Sequence, residues 1–384
     1  MVLFYFGTTK MVNTFFVRIS SDCNLNCEYC YVFNHIDKTS RYLPNLMSFD
    51  TINLLIERLK DYQYKYNLDE ILIVFHGGEP LLMGPKRFTE VLKLISSGLS
   101  DIVKLGFSVQ TNGSLLTKQY TTLFKKFDVG VSVSIDGPQK YHDIYRVDKK
   151  GIGSWERVIK GIKEIQKYPE LFSGTISVIN PQVPPRKLFE FLQENNILVT
   201  DFLLPDGNYD RIPKHKDSEV NIYIDWLVEA FDVWFAEYQN ITVRVFENVL
   251  ESVSGLDVSS DVFGGGELSY LTIETDGSYH TSDILKTTYE GASKTNLHLS
   301  SSSIEDVINS SSFIEYNFLL EEKNLPEQCQ TCEEMKYCKG GCLPHRYSLN
   351  NGFDNPSIYC DEMKSLIQHA RIRLIEVLGQ NQHN

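Results

Sequence analysis

The sequence predicts an α/β fold in which a partial barrel of parallel strands is followed by a smaller C-terminal domain. Two observations support this fold class. Short apolar runs of strand length alternate with amphipathic stripes of helical period, and polar or glycine-rich segments follow the ends of the apolar runs. Such alternation is typical of βαβ units, which build parallel sheets. We count about six repeats, fewer than the eight of a closed barrel, and therefore predict a partial (β/α)6 barrel.

The barrel elements follow in order along the chain. Apolar runs rich in β-branched residues predict strands at 71–75, 105–110, 129–135, 174–179 and 198–204. Apolar residues at helical spacing predict helices near 52–59, 88–95, 117–127, 154–167, 185–196 and 220–238. Because parallel strands place their carboxyl ends at one edge, we expect functional residues to follow these strands.

Sequence patterns also predict a hairpin and a C-terminal helix in the second domain. Asp276-Gly277, between apolar runs at 271–275 and 278–281, predicts a hairpin. A helix is predicted at 363–378, ended by Gly379. We place the boundary so that residues 1–240 form the barrel and residues 241–384 form the second domain.

Composition and charge exclude several classes of function. The 384 residues are 42% hydrophobic and 23% charged, which is ordinary for a globular protein. The net charge of −13 argues against a protein that works mainly on nucleic-acid phosphates. No segment approaches the about 18 apolar residues of a membrane helix, and the N-terminus has no secretory signal pattern. We therefore expect a cytoplasmic protein with no nucleic-acid or membrane partner, whose cysteines stay reduced.

The cysteines form two groups separated by a long cysteine-free stretch. The first group is Cys23, Cys27 and Cys30, and the second is Cys329, Cys332, Cys338, Cys342 and Cys360. Clustered, reduced thiols indicate metal binding or catalysis. Zinc needs four ligands, and the first group offers three thiolates with His35 as the available substitute, whereas the second group alone is compatible with a zinc ribbon. Three thiolates on a four-iron cluster would leave one iron open to a substrate or cofactor.

The spacing of the first group, with Tyr29 before the third cysteine, resembles the cluster loop of radical S-adenosylmethionine enzymes. That resemblance implies a barrel of the radical SAM type, a 4Fe-4S cluster on Cys23, Cys27 and Cys30, and S-adenosylmethionine as cofactor. Gly77, Gly78 and Glu79 follow a predicted strand and resemble the element that holds the amino group of the cofactor in that family. Glycines there also permit close backbone approach, and the alternative interpretation of this segment is a tight turn.

Two further segments resemble a narrower group, the anaerobic sulfatase maturases and related peptide maturases. The resemblance rests on QTNG at 110–113, SVSIDGP at 132–138 and HDIYR at 142–146. It implies that the cofactor contacts include Gln110, Asn112, Ser134 and Arg146, with Ser134 and Arg146 at its carboxylate. An arginine pairs well with a carboxylate. The alternative for Arg146 is a surface ion pair with Asp143 or Asp148.

The second group of cysteines resembles the SPASM domain, an auxiliary-cluster module found in radical SAM peptide maturases. The resemblance implies one auxiliary 4Fe-4S cluster on Cys329, Cys332, Cys338 and Cys360. A second cluster would need two cysteines from the hairpin region. Ser282 occupies one of these positions, the window 261–267 contains no cysteine, and Cys342 alone remains of that set. We therefore predict one auxiliary cluster.

Asp283 follows the missing ligand position. In sulfatase maturases the aspartate at this place is the proposed base, so the resemblance implies the same role for Asp283. We expect burial to raise its pKa toward the range of a general base. The alternative is that an aspartate after Ser282 simply caps a turn.

The resemblance implies an oxidoreductase that acts on a ribosomal precursor peptide or protein through a 5′-deoxyadenosyl radical. From the incomplete auxiliary ligand set we expect oxidative cross-linking of side chains, as in cyclophane-type peptide maturation. The alternative is oxidation of cysteine or serine to formylglycine, as in anaerobic sulfatase maturases. An alternative of another class is a non-catalytic iron–sulfur electron carrier. The enzyme interpretations also imply an electron donor such as flavodoxin or ferredoxin.

Overall fold

The computed structural model describes residues 11–216, 221–256, 258, 263 and 266–380. Its strands are β1 (Thr14–Ser20), β2 (Glu70–Gly77), β3 (Lys104–Thr111), β4 (Val129–Ser134), β5 (Phe172–Val178), β6 (Val199–Leu203), β7 (Thr242–Val243), β8 (Tyr270–Ile273), β9 (Ser278–His280) and β10 (Lys294–His298). Its helices are α1 (Phe49–Tyr66), α2 (Pro85–Leu99), α3 (Lys118–Phe127), α4 (Gln139–Tyr145), α5 (Trp155–Ile165), α6 (Pro185–Glu194), α7 (Ile222–Glu237), α8 (Arg244–Val253), α9 (Ile304–Ile308), α10 (Ser311–Leu320), α11 (Glu327–Gln330), α12 (Met335–Cys338) and α13 (Cys360–Gln380). Short 3₁₀ helices lie at Thr39–Tyr42, Pro80–Met83, Asp283–Thr287, Glu322–Asn324 and Leu343–Arg346.

The strands form one sheet in the order β10-β9-β8-β1-β2-β3-β4-β5-β6-β7. From β1 to β7 each strand is parallel to its neighbour, which confirms the α/β fold with a parallel sheet. The predicted strands and helices of the barrel are all present, with ends that differ by a few residues. They were predictable because each strand is an apolar run and each helix carries an apolar stripe that packs on the sheet.

The two faces of the sheet differ in chemistry. On β2, Ile71, Ile73 and Phe75 are fully buried in the helix-covered core. The intervening residues point to the opposite face, because side chains alternate along a strand. On that face, called the inner face below, Arg18 of β1 is the register partner of His76 of β2. Charged and polar side chains therefore gather on the inner face near the carboxyl ends of the strands.

The predicted hairpin is present and joins the same sheet. Gly277 has φ +97°, and its amide donates to Glu274 O over 2.9 Å, so the turn requires a residue that tolerates left-handed backbone. β8 pairs with β1 in parallel, and β9 and β10 follow in antiparallel order. The sheet therefore continues beyond residue 240, and the domain boundary that we placed there remains a prediction.

The C-terminal helix packs on the barrel helices. α13 lies against α7 and α8, and Leu366, Ile367 and Ala370 are fully buried in this contact region. Within the described ranges, no helix combines the length and the apolar character needed to cross a bilayer.

Candidate functional site

The first group of cysteines lies in the loop that follows β1 (residues 21–34, called the cysteine loop below). Cys27 is buried, whereas Cys23 and Cys30 are half-buried. The Leu25 amide donates to Cys23 Sγ over 3.4 Å, which shapes the start of the loop. All eight cysteines of the chain lie among the described residues, and none forms a disulfide. The three thiols are therefore available as ligands.

Burial makes these three thiols difficult to ionise without a cation. It raises the pKa of Cys23 and Cys30, and it raises the pKa of Cys27 to about 11 although the charge of Arg146 opposes the shift. A metal favours the thiolate because of its positive charge, and soft thiolates suit iron–sulfur clusters or zinc. In the described part of the chain, no three His, Cys, Asp or Glu side chains are already arranged around a metal position. The fit of a metal or an iron–sulfur cluster to these cysteines therefore rests on the chemistry of three thiols and on their position in one loop after β1.

Two glycines at the end of β2 hold the cysteine loop. The Gly78 amide donates to Ser20 O, and the Glu79 amide donates to Asp22 O, each over 2.8 Å. A Cβ on Gly78 would lie 2.2 Å from Asp22 O, and one on Gly77 would lie 2.2 Å from Ser20 O. The amides of Gly78 and Glu79 thereby bind the end of β1 and the start of the cysteine loop. These glycines allow close approach of two backbones, and the segment is more than a tight turn.

We expect Gly78→Ala to displace the cysteine loop and to lower the free energy of unfolding by roughly 1–3 kcal/mol, because backbone has to move to admit the methyl group. The matched control is Gly379→Ala in α13, where an added Cβ meets no atom within 4 Å. Alanine should leave that helix unchanged or stabilise it by up to about 1 kcal/mol. Urea denaturation measures both changes, and equal stability of the two variants would contradict the packing argument.

Glu79 is fully buried and joins β2 to β3. Its carboxylate accepts hydrogen bonds from the Leu81 amide (2.9 Å), from Thr111 Oγ1 (2.7 Å) and from the Asn112 amide (2.7 Å). Burial nevertheless raises the pKa of Glu79, because it outweighs these hydrogen bonds. In this structure the carboxylate fixes the ends of two neighbouring strands.

Three further predicted cofactor contacts follow or end strands β3 and β4. Asn112 lies beside the cysteine loop, and Gln110 and Ser134 lie on the inner face. Asn112 Nδ2 donates to Asn24 Oδ1 over 2.9 Å and lies 3.7 Å from Cys23 Sγ. Gln110 Nε2 donates to Ser134 Oγ over 2.9 Å, which links β3 to β4. The structure therefore brings Asn112 into contact with the cysteine loop, and it pairs Gln110 with Ser134.

Tyr29, which is half-buried, contacts the buried residues Arg146 and Asp136. The sequence analysis had not singled out Asp136. The Tyr29 hydroxyl donates to Asp136 Oδ2, and Arg146 Nη1 donates to the Tyr29 hydroxyl over 2.7 Å. Arg146 is buried, so its interpretation as a surface ion pair with Asp143 or Asp148 is wrong. Asp136 comes directly after the β4 region, and that position was the signal that could have identified it.

Asp283 is held by two donors on the inner face. Its Oδ2 accepts hydrogen bonds from Arg18 Nη1 over 2.7 Å and from the Tyr31 hydroxyl over 2.9 Å, and the side chain is 16% exposed. Burial alone would raise the pKa of Asp283, but the charge of Arg18 reverses the shift and lowers it. Our expectation of a raised pKa is therefore wrong. In the part of the chain that the structure describes, the carboxylate makes no capping hydrogen bond. It pairs with Arg18 of β1 and with Tyr31 of the cysteine loop.

Arg18 also belongs to a buried ion-pair network. Arg18, Glu274 and Lys286 are fully buried. Arg18 Nε lies 3.2 Å from Glu274 Oε2, without the alignment of a hydrogen bond, and Lys286 Nζ pairs with Glu274 Oε1. Burial would raise the pKa of Glu274, but these two cations lower it to about 2. Sequence reasoning missed this network, although an arginine inside the apolar strand TFFVRIS was a signal.

The second group of cysteines is partly or fully buried, like the first. Burial raises the pKa of Cys338 to about 12, and the charges of Cys360, Cys329 and Cys332 add to the shift. These four cysteines have the donor chemistry of a four-thiolate metal cluster, because the positive charge of a metal favours the thiolate. Cys329, Cys332, Cys338 and Cys360 are therefore consistent with the ligand set that the sequence implied.

The residues that would have to hold a second auxiliary cluster include Ser282, which makes an ordinary polar contact. Ser282 is buried, and its hydroxyl lies 2.7 Å from the Tyr270 hydroxyl. Of the window 261–267, the positions 261, 262, 264 and 265 lie outside the described residues. Cys342 is buried.

A cavity of about 200 Å³ opens beside the cysteine loop. Asn180 Nδ2 is buried there and has no hydrogen-bond partner among the described residues. The lining includes Tyr29, Tyr145, Val178, Asn180, Lys214 and Tyr223. The cavity can therefore receive a partly apolar ligand that carries a hydrogen-bond acceptor.

Comparisons with known proteins agree with this geometry. Residues 17–192 match the model of the Radical SAM superfamily. The chain is 23% identical over 376 residues to the cysteine-type anaerobic sulfatase-maturating enzyme of Clostridium novyi (strain NT), covering 95% of this chain and 97% of that protein. It is 25% identical over 380 residues to the serine-type anaerobic sulfatase-maturating enzyme of Bacteroides thetaiotaomicron, covering 92% and 87%.

A solved structure extends the similarity to the fold. Native anSMEcpe with bound AdoMet superimposes with a TM-score of 0.82 at 24% identity, over 96% of this chain and 99% of that chain. The likeness includes the C-terminal half and shows that the two chains share a fold.

Proposed function

We propose that the protein is a maturase of the sulfatase-maturase type that oxidises a cysteine or serine of a peptide or protein to formylglycine. The match of residues 17–192 to the Radical SAM superfamily and the similarity to sulfatase-maturating enzymes support this. The observation on which the proposal rests is the set of hydrogen bonds that the Asp283 carboxylate accepts. Its carboxylate is kept charged by Arg18 and is joined through Tyr31 to the loop of the three cysteines. A charged carboxylate that accepts a hydrogen bond from Tyr31, the residue after Cys30, supports the proposal.

Formylglycine formation has better support than the side-chain cross-linking that we expected first. That expectation rested on the incomplete second set of auxiliary ligands. Two relatives that cover 95% and 92% of this chain are a cysteine-type and a serine-type anaerobic sulfatase-maturating enzyme. The same similarity argues against a non-catalytic electron carrier.

In this proposal Cys23, Cys27 and Cys30 hold the cofactor-binding 4Fe-4S cluster. When bound, the cluster and S-adenosylmethionine supply a 5′-deoxyadenosyl radical that removes a hydrogen atom from the substrate. Gly77, Gly78 and Glu79 position the cysteine loop and the end of β3. The cofactor contacts that we propose are Tyr29, Gln110, Asn112, Ser134 and Arg146.

Asp283 is the proposed base. Oxidation of a serine side chain to the aldehyde, or of a cysteine side chain to the thioaldehyde, removes a hydrogen atom, a proton and an electron from the substrate. The thioaldehyde then reacts with water to give the aldehyde and hydrogen sulfide. In this proposal Asp283 accepts the proton. His76 lies on the inner face, where it is the register partner of Arg18. Burial lowers the pKa of His76 to about 4, so its imidazole is neutral at neutral pH. Arg18 and Tyr31 are positioning residues, since both bind the carboxylate itself.

The remaining partners are an electron acceptor, an electron donor and the substrate. Cys329, Cys332, Cys338 and Cys360 would hold one auxiliary 4Fe-4S cluster, which belongs to the class of acceptors that the oxidation requires. Flavodoxin or ferredoxin is the proposed donor. The proposed substrate is a peptide or protein, and a structure of anSMEcpe contains AdoMet with a Cp18Cys peptide.

The test uses the full chain, reconstituted anaerobically with iron and sulfide, reduced, and given S-adenosylmethionine with three matched peptides. The peptides carry cysteine, serine or alanine at one position of a sulfatase-derived sequence. We expect mass spectrometry and an aldehyde-reactive hydrazide to detect formylglycine in the cysteine or serine peptide and no product from the alanine peptide. Formation of 5′-deoxyadenosine with no aldehyde in any peptide would contradict the proposed function. Loss of two hydrogens without hydrazide labelling would favour cross-linking.

A further inference from the structure

The buried ion-pair network around Arg18 joins four charged side chains. Lys286 Nζ pairs with Glu274 Oε1. Glu274 Oε2 lies 3.2 Å from Arg18 Nε, and Arg18 Nη1 donates to Asp283 Oδ2 over 2.7 Å. Arg18, Glu274 and Lys286 are fully buried, whereas the side chain of Asp283 is 16% exposed. Two cations therefore balance two carboxylates, and Asp283 is the member of the network that a ligand can reach.

Local structure fixes the positions of Glu274 and Lys286. Glu274 follows β8, and its amide donates to Ser278 O over 3.0 Å across the hairpin turn. Lys286 lies three residues after Asp283, on the 3₁₀ helix that begins there. The two ends of the network therefore lie on one short helix, and its middle lies on β1 and the hairpin.

The two carboxylate oxygens of Asp283 differ in their surroundings. Oδ2 accepts both hydrogen bonds, from Arg18 and from Tyr31. Within the described ranges, no hydrogen bond from the protein reaches Oδ1. A proton taken up by Asp283 therefore has Oδ1 as its site, and the bonds to Oδ2 keep the carboxyl group in place.

Proton uptake by Asp283 removes one of the two negative charges that face Arg18. A buried cation is costly without an opposite charge. Glu274 remains as the carboxylate beside Arg18 when Asp283 is neutral. If Glu274 were neutral as well, Arg18 and Lys286 would have no carboxylate of this network. The charge of Glu274 therefore makes proton uptake by Asp283 easier.

Other titratable groups lie near the network, on β2, on β9 and in the cysteine loop. Burial lowers the pKa of His76 and of His280 to about 4, so both imidazoles are neutral at neutral pH. Burial raises the pKa of Tyr31 and of Cys30, so neither group ionises at neutral pH unless a metal binds. A cluster on Cys30 would add a charge that substitutions in the network leave unchanged. The charge balance at Asp283 therefore depends on the members of the ion-pair network.

We propose that Glu274 is a positioning residue for Asp283: it shares the charge of Arg18 with Asp283, and it thereby lets Asp283 take up the proton that the substrate releases. Lys286 keeps Glu274 charged. The inference rests on the proposed function, in which Asp283 is the base. The base is then a carboxylate within a network that keeps Arg18 paired before and after proton transfer.

The test compares the full chain, reconstituted anaerobically, with Glu274→Gln, Lys286→Met and the double variant. The readout is the aldehyde formed per 5′-deoxyadenosine with the sulfatase-derived peptides, followed between about pH 5 and 8. Glu274→Gln leaves two cations around Asp283 and should lower this ratio about tenfold, because a weaker base accepts the proton more slowly. The double variant restores the balance of charge and should recover most of that loss. Lys286→Met removes a cation and should move the acid limb of product formation toward neutral pH.

A purely structural role of the network predicts a different order. The double variant would then lose at least as much product as Glu274→Gln, and the acid limb of Lys286→Met would match that of the parent. Either result would overturn the proposal. If Glu274→Gln does not fold, which its melting temperature would show, the acid limb of Lys286→Met decides between the two roles.

Failure of the proposed function is detected separately. If the parent forms 5′-deoxyadenosine but no aldehyde, formylglycine formation is wrong, and the role of Glu274 is decided by stability. Asp283→Asn has the shape and charge of the protonated residue. It should lower the melting temperature more in the Glu274→Gln/Lys286→Met background than in the parent, because Arg18 then has no carboxylate in the network. Equal losses in both backgrounds would show that Glu274 does not support the neutral form of Asp283.

Discussion

Replacing Cys27 with alanine is expected to reduce 5′-deoxyadenosine formation to background, because two thiolates cannot hold the cluster that cleaves S-adenosylmethionine. Cys27 is the buried member of its group, and the charge of Arg146 favours its thiolate. The measurement is anaerobic turnover with dithionite, with 5′-deoxyadenosine quantified by chromatography and iron counted in the same sample.

The matched control is Cys360→Ala, which removes one thiol of the other group. We expect this variant to keep cofactor cleavage and to lose formylglycine, since its change lies in the auxiliary set. Cofactor cleavage at the parent rate by Cys27→Ala would show that the first three cysteines are not the ligands. Loss of cleavage in both variants would point to misfolding, which circular dichroism and melting temperature would reveal.

The second large effect is expected for Asp283→Asn, which should lower product formation by about 10²–10⁴-fold while 5′-deoxyadenosine still forms. Asparagine has the same shape and can still accept hydrogen bonds from Arg18 and Tyr31, but it cannot take a proton from the substrate. The measurement follows both products in one reaction, so that loss of the aldehyde is separated from loss of the radical. Equal loss of both products would contradict the role of Asp283 as a base.

The expected pH dependence of product formation follows from the ionisation of Asp283. Arg18 holds the pKa of Asp283 below its ordinary value of 3.8, so the carboxylate is charged at every pH above that value. Deprotonation of Asp283 therefore should not limit the parent on the acid side between about pH 5 and 8. Tyr31→Phe removes one hydrogen bond to the charged form and should raise the pKa of Asp283, which moves the acid limb of product formation toward neutral pH. An unchanged profile in Tyr31→Phe would show that its hydroxyl does not stabilise this carboxylate.

The same group affects stability in a direction that can be checked. Because its folded pKa is lowered, Asp283 contributes stability that is present above its unfolded pKa and is lost as pH falls through the folded value. Asp283→Asn removes that contribution and leaves Arg18 with Glu274 as its remaining carboxylate partner. Its melting temperature must therefore be measured before its kinetics are interpreted.

Much of the fold could be predicted because it depends on local patterns. The β2 strand is an apolar run, and the turn at Gly277 needs a residue that tolerates positive φ. Such signals lie within a few neighbouring residues. The joining of β8 to the free side of β1 could not be predicted, because strand order is set by packing between segments about 250 residues apart.

The sequence by itself determined the two groups of cysteines, the alternation of strands and helices, and the presence of polar residues after the strands, because each is a matter of residue type and spacing. The tertiary structure decided which of these residues meet. It placed Arg18 against Asp283 across 265 positions of sequence and gave the carboxylate a lowered pKa where the sequence led us to expect a raised one. The physical reason is that burial raises the pKa of a carboxyl group and pairing with a cation lowers it. Which effect is larger depends on a partner that only the folded chain supplies.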